Sequence, residues 1–355
     1  MPVLPVSQRN YEYLKRKFPS ADESFIRERV KNIQWPINRK ARVCEVTVNS
    51  SCNNRCLFCY NAPEDFGAFP EPEINLIYRT LYEGRKKGSW IAAIIGGEPS
   101  LRKDIGKIAT FARKAGYECV KICTNGLKLS DKSYVRHLAE SGFNMFDISI
   151  HGHNSMVHDK LVNKKGAFKK VMRAIENVRE MGQEVGTNQV LNALNYRNFP
   201  EFFRMAYLNL GINYYNIIYA HYRGMMSKNL QSLKISISRA AAKVYEGLKL
   251  LTEYKMPAFS RMLVNFPPCL FPDCMDIIAD WELDEESGDP LLLPDGKTVN
   301  MATMKNKQTV KLPVCRRCSV GKVCRGIDRE YVEIFGTSEF VPIKKRRKNV
   351  VKTIF

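Results

Sequence analysis

The chain is 355 residues long and 45% hydrophobic, enough for one large domain with an appendage or for two ordinary domains. No apolar run is long enough to span a membrane, and the start, "MPVLPVSQRN", lacks the regions of a signal peptide, so membrane-spanning and secreted classes are set aside and a cytoplasmic protein is expected. The net charge of +20 sits in segments 9–42, 297–329 and 344–352, around a body that is neutral overall.

Basic flanks of this kind suit an acidic partner: a phosphorylated substrate, nucleic acid, an anionic lipid surface or an acidic peptide. The plainer reading is a solvated surface and, for the tail, a disordered end. In chain order, a basic N-terminal extension over 1–42 gives way to alternating strands and helices. "RVCEVTV" (42–48), "WIAAIIG" (90–96), "CVKICT" (119–124), "MFDISI" (145–150), "VGTNQVL" (185–191) and "YYNIIY" (214–219) read as strands, several apolar on both faces as buried parallel strands are. Ile74, Ile77, Tyr78 and Leu81, and later Phe168, Val171, Met172 and Ile175, mark amphipathic helices. Gly88, Gly116, Gly142, Gly182 and Gly211 stand where left-handed C-caps are expected. Six such units predict an α/β fold with a parallel sheet, either an incomplete barrel or an open doubly wound sheet. The barrel unit is assigned 43–260. Beyond it come a cysteine-rich module over 261–340, with an acidic, turn-rich stretch at 280–296, and a basic tail over 341–355.

Eleven cysteines in a chain expected to be cytoplasmic point to metal binding rather than disulfides. Cys52, Cys56 and Cys59 follow directly on the first predicted strand, the end of a βα unit where sites are built. Thiolates suit zinc or iron–sulfur clusters. A structural zinc site wants four protein ligands. Three cysteines with no fourth cysteine or histidine nearby leave one position open, which on a 4Fe–4S cluster is an iron free to bind something else.

The run "CNNRCLFC" (52–59) resembles the C-x-x-x-C-x-aromatic-C signature of the radical S-adenosylmethionine (radical SAM) superfamily. The resemblance implies a partial (β/α)6 TIM-type barrel. It also implies S-adenosylmethionine chelated to the open iron, one-electron cleavage to methionine and a 5′-deoxyadenosyl radical, and hydrogen abstraction from a substrate. An external electron donor such as flavodoxin or ferredoxin would feed the cluster. Three further runs, each closing a predicted strand, are similar to family motifs: "GGEPSL" with Gly96, Gly97, Glu98 and Pro99, "TNG" with Thr124, Asn125 and Gly126, and "SIHG" with Ser149 and His151. By resemblance these residues contact S-adenosylmethionine. Glu98 accepts from the methionine ammonium, and Phe58 lies by the adenine. Taken singly, the glycines have an ordinary alternative in turn chemistry.

Cys315, Cys318 and Cys324 form a C-x2-C-x5-C run, with Cys269 and Cys274 before it. The run resembles the auxiliary-cluster modules called SPASM or twitch. The resemblance implies that Cys269, Cys315, Cys318 and Cys324 hold a second, auxiliary 4Fe–4S cluster, with Cys274 as substitute or extra ligand. The full pattern places a further cysteine where this chain has Asp328, so one auxiliary cluster is expected rather than two. Four thiolates suit zinc equally well.

Asn188, Gln189 and Asn192 at the fifth strand, and Tyr219 and His221 at the sixth, are weaker candidates for cofactor or substrate contact. Cys44, Cys119 and Cys123 read as small hydrophobes packed in strands. His153 reads as a solvated loop residue and the His158–Asp159 pair as a helix start. The expected function is a radical SAM enzyme with an auxiliary cluster, acting on a peptide or small molecule. The alternatives are a zinc-knuckle nucleic-acid-binding protein and a radical SAM RNA-modifying enzyme.

Overall fold

Apolar runs bounded by turn residues become strands here because both of their faces are covered. In the computed structural model they are β1 (Val43–Thr47), β2 (Ile91–Ile95), β3 (Cys119–Thr124), β4 (Met145–Ser149), β5 (Glu184–Leu191) and β6 (Tyr214–Tyr219), all parallel and paired in sequence order. The structure describes residues 5–38, 40–61, 63–65, 67–279, 281–283, 289–345, 348–349 and 351–352. Residues 280 and 284–288 of the acidic stretch, and Arg346 and Arg347 of the basic tail, lie outside the described residues.

The sheet continues past the six units. A two-residue strand β7 (Leu263–Val264) pairs in parallel with β6. At the opposite edge β8 (Pro290–Leu292) pairs in parallel with β1 and carries β9 (Thr298–Asn300) antiparallel beside it. The order β7-β6-β5-β4-β3-β2-β1-β8-β9 does not close, so the fold is a partial barrel whose two edges are both finished by residues from beyond 260.

The helices take up the outer face. α3 (Ile74–Lys86), α4 (Ile105–Lys114), α5 (Lys132–Ser141), α6 (Ser155–Val162), α7 (Ala167–Glu180) and α8 (Phe199–Arg204) occupy the crossovers. The predicted stripes are the buried ones: Ile77 and Leu81 in α3, Val171 and Ile175 in α7. All five glycines expected as C-caps take positive φ. Asp159 serves the start of α7, accepting from the backbone N–H groups of Gly166 (2.6 Å) and Phe168 (2.8 Å). His158 accepts from the His151 N–H (3.1 Å).

At the other end of the barrel, α1 (Val6–Lys17) and α2 (Glu23–Val30) cover the strand starts. Leu14, Ile26, Ile33 and Trp35 share one apolar cluster with Cys119, Met145 and Tyr214. Trp35 thus has a role the sequence did not suggest: it closes the bottom of the barrel beside Tyr214, ring centroids 5.9 Å apart. Buried Arg29 ties this layer to the β6 approach by donating to the carbonyls of Ile212 (2.8 Å) and Tyr207.

Two short helices, α9 (Met225–Lys228) and α10 (Leu230–Leu233), precede the long α11 (Ile237–Glu253), followed in the module by α12 (Met301–Lys307), the antiparallel pair β10 (Thr309–Val310) and β11 (Ile327–Asp328), and α13 (Arg329–Phe335). Leu312, Val320, Tyr331, Phe340 and Val351 belong to the same apolar cluster as the barrel strands. The described part of the basic tail is docked rather than loose: Lys352 accepts from the Ala258 N–H at 2.7 Å and Asn349 Oδ1 from the Met275 N–H at 3.1 Å.

Candidate functional site

Because side chains alternate along a strand, each strand sends every second residue into the bore of the barrel. The bore is a cavity of ≈ 960 Å³ reaching from the cysteine loop at the strands' C-terminal ends down to Trp35. Cys52, Cys56 and Cys59 line its mouth. Their loop has no regular structure of its own and is held from outside. Met226 N–H donates to Cys59 O (3.2 Å), Asn229 Nδ2 to Leu57 O (3.0 Å), Leu57 N–H to Leu161 O (2.9 Å) and Lys164 Nζ to Asn53 O (2.8 Å). Arg55 folds back on the loop, donating to Cys52 O (2.6 Å) and Asn54 O (2.8 Å). The Asn54 N–H is aimed at Cys52 Sγ, 3.4 Å away. Burial pushes the Cys56 thiol well above its usual range, and Cys59 and Cys52 add to the rise. A bound cation would displace the protons of these thiols and hold them as thiolates.

The second loop meets the first directly. Gly97 N–H donates to Asn49 O (3.0 Å) and Glu98 N–H to Ser51 O (2.7 Å). A Cβ on Gly96 would stand 2.3 Å from Asn49 Oδ1, and one on Gly97 2.4 Å from Ser51 O. These glycines therefore let two loops lie against each other, whatever else they contact. Glu98 joins the loops: one carboxylate oxygen accepts from Ser100 N–H (3.0 Å) and Thr124 Oγ1 (2.6 Å), the other from Asn125 N–H (2.7 Å). Burial raises its pKa, and these hydrogen bonds work against the rise. Asn125 reaches back to the cysteine loop through Asn53 Oδ1 (2.7 Å). Three successive βα loops are thus laced into one rim.

Phe58, Gly96, Gly97, Glu98, Thr124, Asn125, Ser149 and His151 all line the cavity, while Pro99 and Gly126 stand behind it. Phe58 packs against His151, ring centroids 4.4 Å apart, and burial holds His151 neutral well below its usual pKa. Of the weaker candidates, Asn188 faces the cavity. Asn192 is spent on a local turn, its Oδ1 accepting from Leu194 N–H, and Tyr219 is turned to Tyr222 and Ile235. His221 pairs with Asp328 (3.3 Å), which also caps α13 through Tyr331 N–H.

The sequence reading missed the polar wall of the bore. Lys121, Cys123, Asp147 and Asn216 line it with Asn188. Lys121 Nζ sits 3.2 Å from Asp147 Oδ2, which also accepts from Asn216 Nδ2 (3.0 Å), and Asn216 donates on to Asn188 Oδ1 (2.8 Å). Burial opposes the Lys121 charge, yet Asp147 holds its pKa well above the usual lysine value. Cys44 is packed beneath α3 as expected, whereas Cys123 departs from the packing role and opens on the cavity.

In the module, Cys269, Cys315, Cys318 and Cys324 line a single apolar pocket with Pro268, Val320, Ile327 and Phe340. Burial pushes the Cys269 thiol up to about 12, with Cys324, Cys315 and Cys318 contributing. The Gly326 N–H points at Cys324 Sγ from 3.4 Å. Cys274 is buried elsewhere, by the backbone of Val351. Among the described residues, the one group of three metal-ligand side chains whose donor atoms all lie within 4.8 Å is His221, Asp328 and Glu330; neither cysteine set is that tight.

Residues 46–206 match the family model of the Radical SAM superfamily. Among curated relatives, Fe-coproporphyrin III synthase of Methanosarcina barkeri is 29% identical over 259 residues, 72% of this chain and 61% of the relative. The probable GTP 3′,8-cyclase of Saccharolobus solfataricus is 27% identical over 212 residues, 59% of this chain and 63% of the relative. The matches thus span about three fifths of these relatives' length. Among solved structures, Streptococcus suis SuiB bound to the precursor peptide SuiA superposes with a TM-score of 0.62 at 14% identity, over 90% of this chain and 79% of that one. The anSMEcpe structure with bound AdoMet and peptide gives 0.60 at 13% identity, over 86% and 93%. At these identities the likeness concerns the fold.

Proposed function

We propose, on the premise that this chain is an enzyme of the radical SAM superfamily, that the rim of the barrel holds a 4Fe–4S cluster and S-adenosylmethionine and that the bore holds a substrate that loses hydrogen. The superfamily's chemistry uses that cluster and that cosubstrate. Here Cys52, Cys56 and Cys59 would hold three irons. Thr124, Asn125, Ser149 and the Phe58–His151 pair would orient S-adenosylmethionine. Glu98 fixes the second and third loops to each other and, lining the cavity, would accept from the methionine ammonium with the capacity its three hydrogen bonds leave. When bound, the cluster supplies the electron that turns S-adenosylmethionine into a hydrogen-abstracting radical source. The chain's part is to orient, to exclude water behind the Trp35 floor, and to present substrate along the polar wall.

We infer further that Cys269, Cys315, Cys318 and Cys324 hold one auxiliary 4Fe–4S cluster. The convergence of the four thiols on one apolar pocket, in a module that follows the barrel, carries this reading. Four thiols around an apolar pocket, with an N–H aimed at sulfur, suit a larger iron–sulfur core. The likeness in fold to SuiB with its precursor peptide supports a peptide as substrate, and the relatives named above keep a small molecule in view. A flavodoxin or ferredoxin would deliver the electron.

Anaerobically purified protein is expected to carry about eight irons and, given reductant and S-adenosylmethionine, to form 5′-deoxyadenosine. Changing Cys315 and Cys318 to alanine should roughly halve the iron while leaving the first cluster. Unchanged iron would remove the auxiliary cluster from the assignment. Zinc in place of iron would remove the enzyme reading of both cysteine sets.

A further inference from the structure

The body of the chain is neutral overall, but one stretch of it is not. Residues 160–173, "KLVNKKGAFKKVMR", carry six basic residues and no acidic one. They make the end of α6, the turn after it and the start of α7, and Lys160, Lys164, Lys165, Lys169 and Lys170 are exposed. A helix N-terminus disfavours cations, and the first turn of α7 holds no acidic side chain to relieve them. The acidic neighbours are committed elsewhere: Asp159 to the backbone of Gly166 and Phe168, Glu176 to Arg173 (3.0 Å) and Glu180 to Lys132 (2.6 Å). Positive charge is thus gathered where the helix's own stability argues against it.

This surface is the outer side of the cysteine loop. Cys56 packs on Leu127, Val162 and Ala167, and Val162 also lines the bore. Val162 ends α6 and Ala167 begins α7, so a single small apolar layer parts Cys56 from the lysine turn. The residues on either side of Cys56 are bonded to the same layer: Arg55 N–H donates to Val162 O (3.3 Å) and Leu57 N–H to Leu161 O (2.9 Å). We propose that this face docks an acidic one-electron carrier protein, and that the electron for the first cluster enters through the α6–α7 turn at Cys56. The proposal rests on the radical SAM reading. In the step the reduced carrier is oxidised by one electron, which passes to the cluster held at Cys52, Cys56 and Cys59; no atom is transferred. The lysines steer the carrier's acidic face by an attraction that salt screens. The two hydrogen bonds then give a bonded route from the docked surface to both neighbours of Cys56.

Flavodoxin is the probe. Oxidised flavodoxin and oxidised holoenzyme are joined with a carbodiimide, which links carboxylates to lysines in direct contact, and the products are mapped by mass spectrometry. The links should fall on Lys160, Lys165, Lys169 and Lys170 and fade as salt is raised. Links elsewhere, or none, overturn the proposal, as do lysines that RNA or anionic vesicles shield and flavodoxin does not. Electron transfer is read by anaerobic stopped flow, mixing flavodoxin hydroquinone with holoenzyme. The triple variant Lys165→Glu, Lys169→Glu, Lys170→Glu should be slower by roughly tenfold at low salt. Its 5′-deoxyadenosine yield with dithionite should stay at the wild-type level. Lys164 is left in place because it holds Asn53 O. Glutamate suits the start of α7, so the variant should melt no lower than wild type. The same charge change on α3 and α4, in Lys86→Glu, Lys107→Glu, Lys114→Glu, should keep most of the wild-type rate. An α7 variant no slower than this control overturns the proposal. Absence of 5′-deoxyadenosine with dithionite from every protein overturns the radical SAM reading instead.

Discussion

Glu184 opens β5 at the barrel floor, 5% exposed, with Asn213 Nδ2 donating to it at 2.9 Å. Burial raises its carboxyl from 4.5 to about 8, and the Asn213 bond limits the rise. The folded state therefore prefers the protonated form. That contribution is complete below the unfolded value, declines as pH rises, and is gone above the folded one. Between about pH 5 and about pH 8.5 the wild type should lose up to a few kcal/mol relative to Glu184→Gln, read as a widening difference in urea midpoints. A constant difference would mean that Glu184 is charged in the folded protein. Residue by residue, the bore was half legible. Lysine at the centre of "CVKICT", aspartate in "MFDISI" and asparagine in "YYNIIY" each interrupt an apolar run, and Lys121, Asp147 and Asn216 turn out to face inward together. Cys123 was not legible, because a strand apolar on both sides does not say which side is the bore.

At the scale of elements, the six strands and the helix stripes could be read because both follow from periodicity over five or more residues. β7, β8 and β9 could not: two or three residues carry no period, and their partners are distant in sequence. The same limit hid part of the support of the cysteine loop, which comes from the turn into α9. Gly224 begins that turn at φ 61, and a Cβ there would stand 2.3 Å from Tyr60 O. Gly224→Ala must push the turn away, taking with it the Met226 and Asn229 bonds to the loop. The expected result is a folded protein with reduced iron, lost from the first cluster; iron equal to wild type at equal helicity would show that the loop does not need this brace.

For the whole molecule, the basic N-terminal segment is part of the barrel's closure, not only a charged surface. Arg29→Met keeps most of the stem but leaves the carbonyls of Ile212 and Tyr207 without this donor, which should cost about 1–3 kcal/mol in a urea melt. If instead the midpoint holds, the floor is secured by the Trp35 cluster alone. Both edges of the open sheet are finished by one later stretch of chain. It leaves β7, passes Cys269, runs back beside Leu263 at Ile278, and reaches β1 on the opposite edge as β8. That stretch works as a lacing drawn across a split cylinder, with one of the downstream thiols as its knot. Whatever the four thiols grip would therefore also set how wide the slit stands, and hence how bulky a molecule can be passed sideways into the bore.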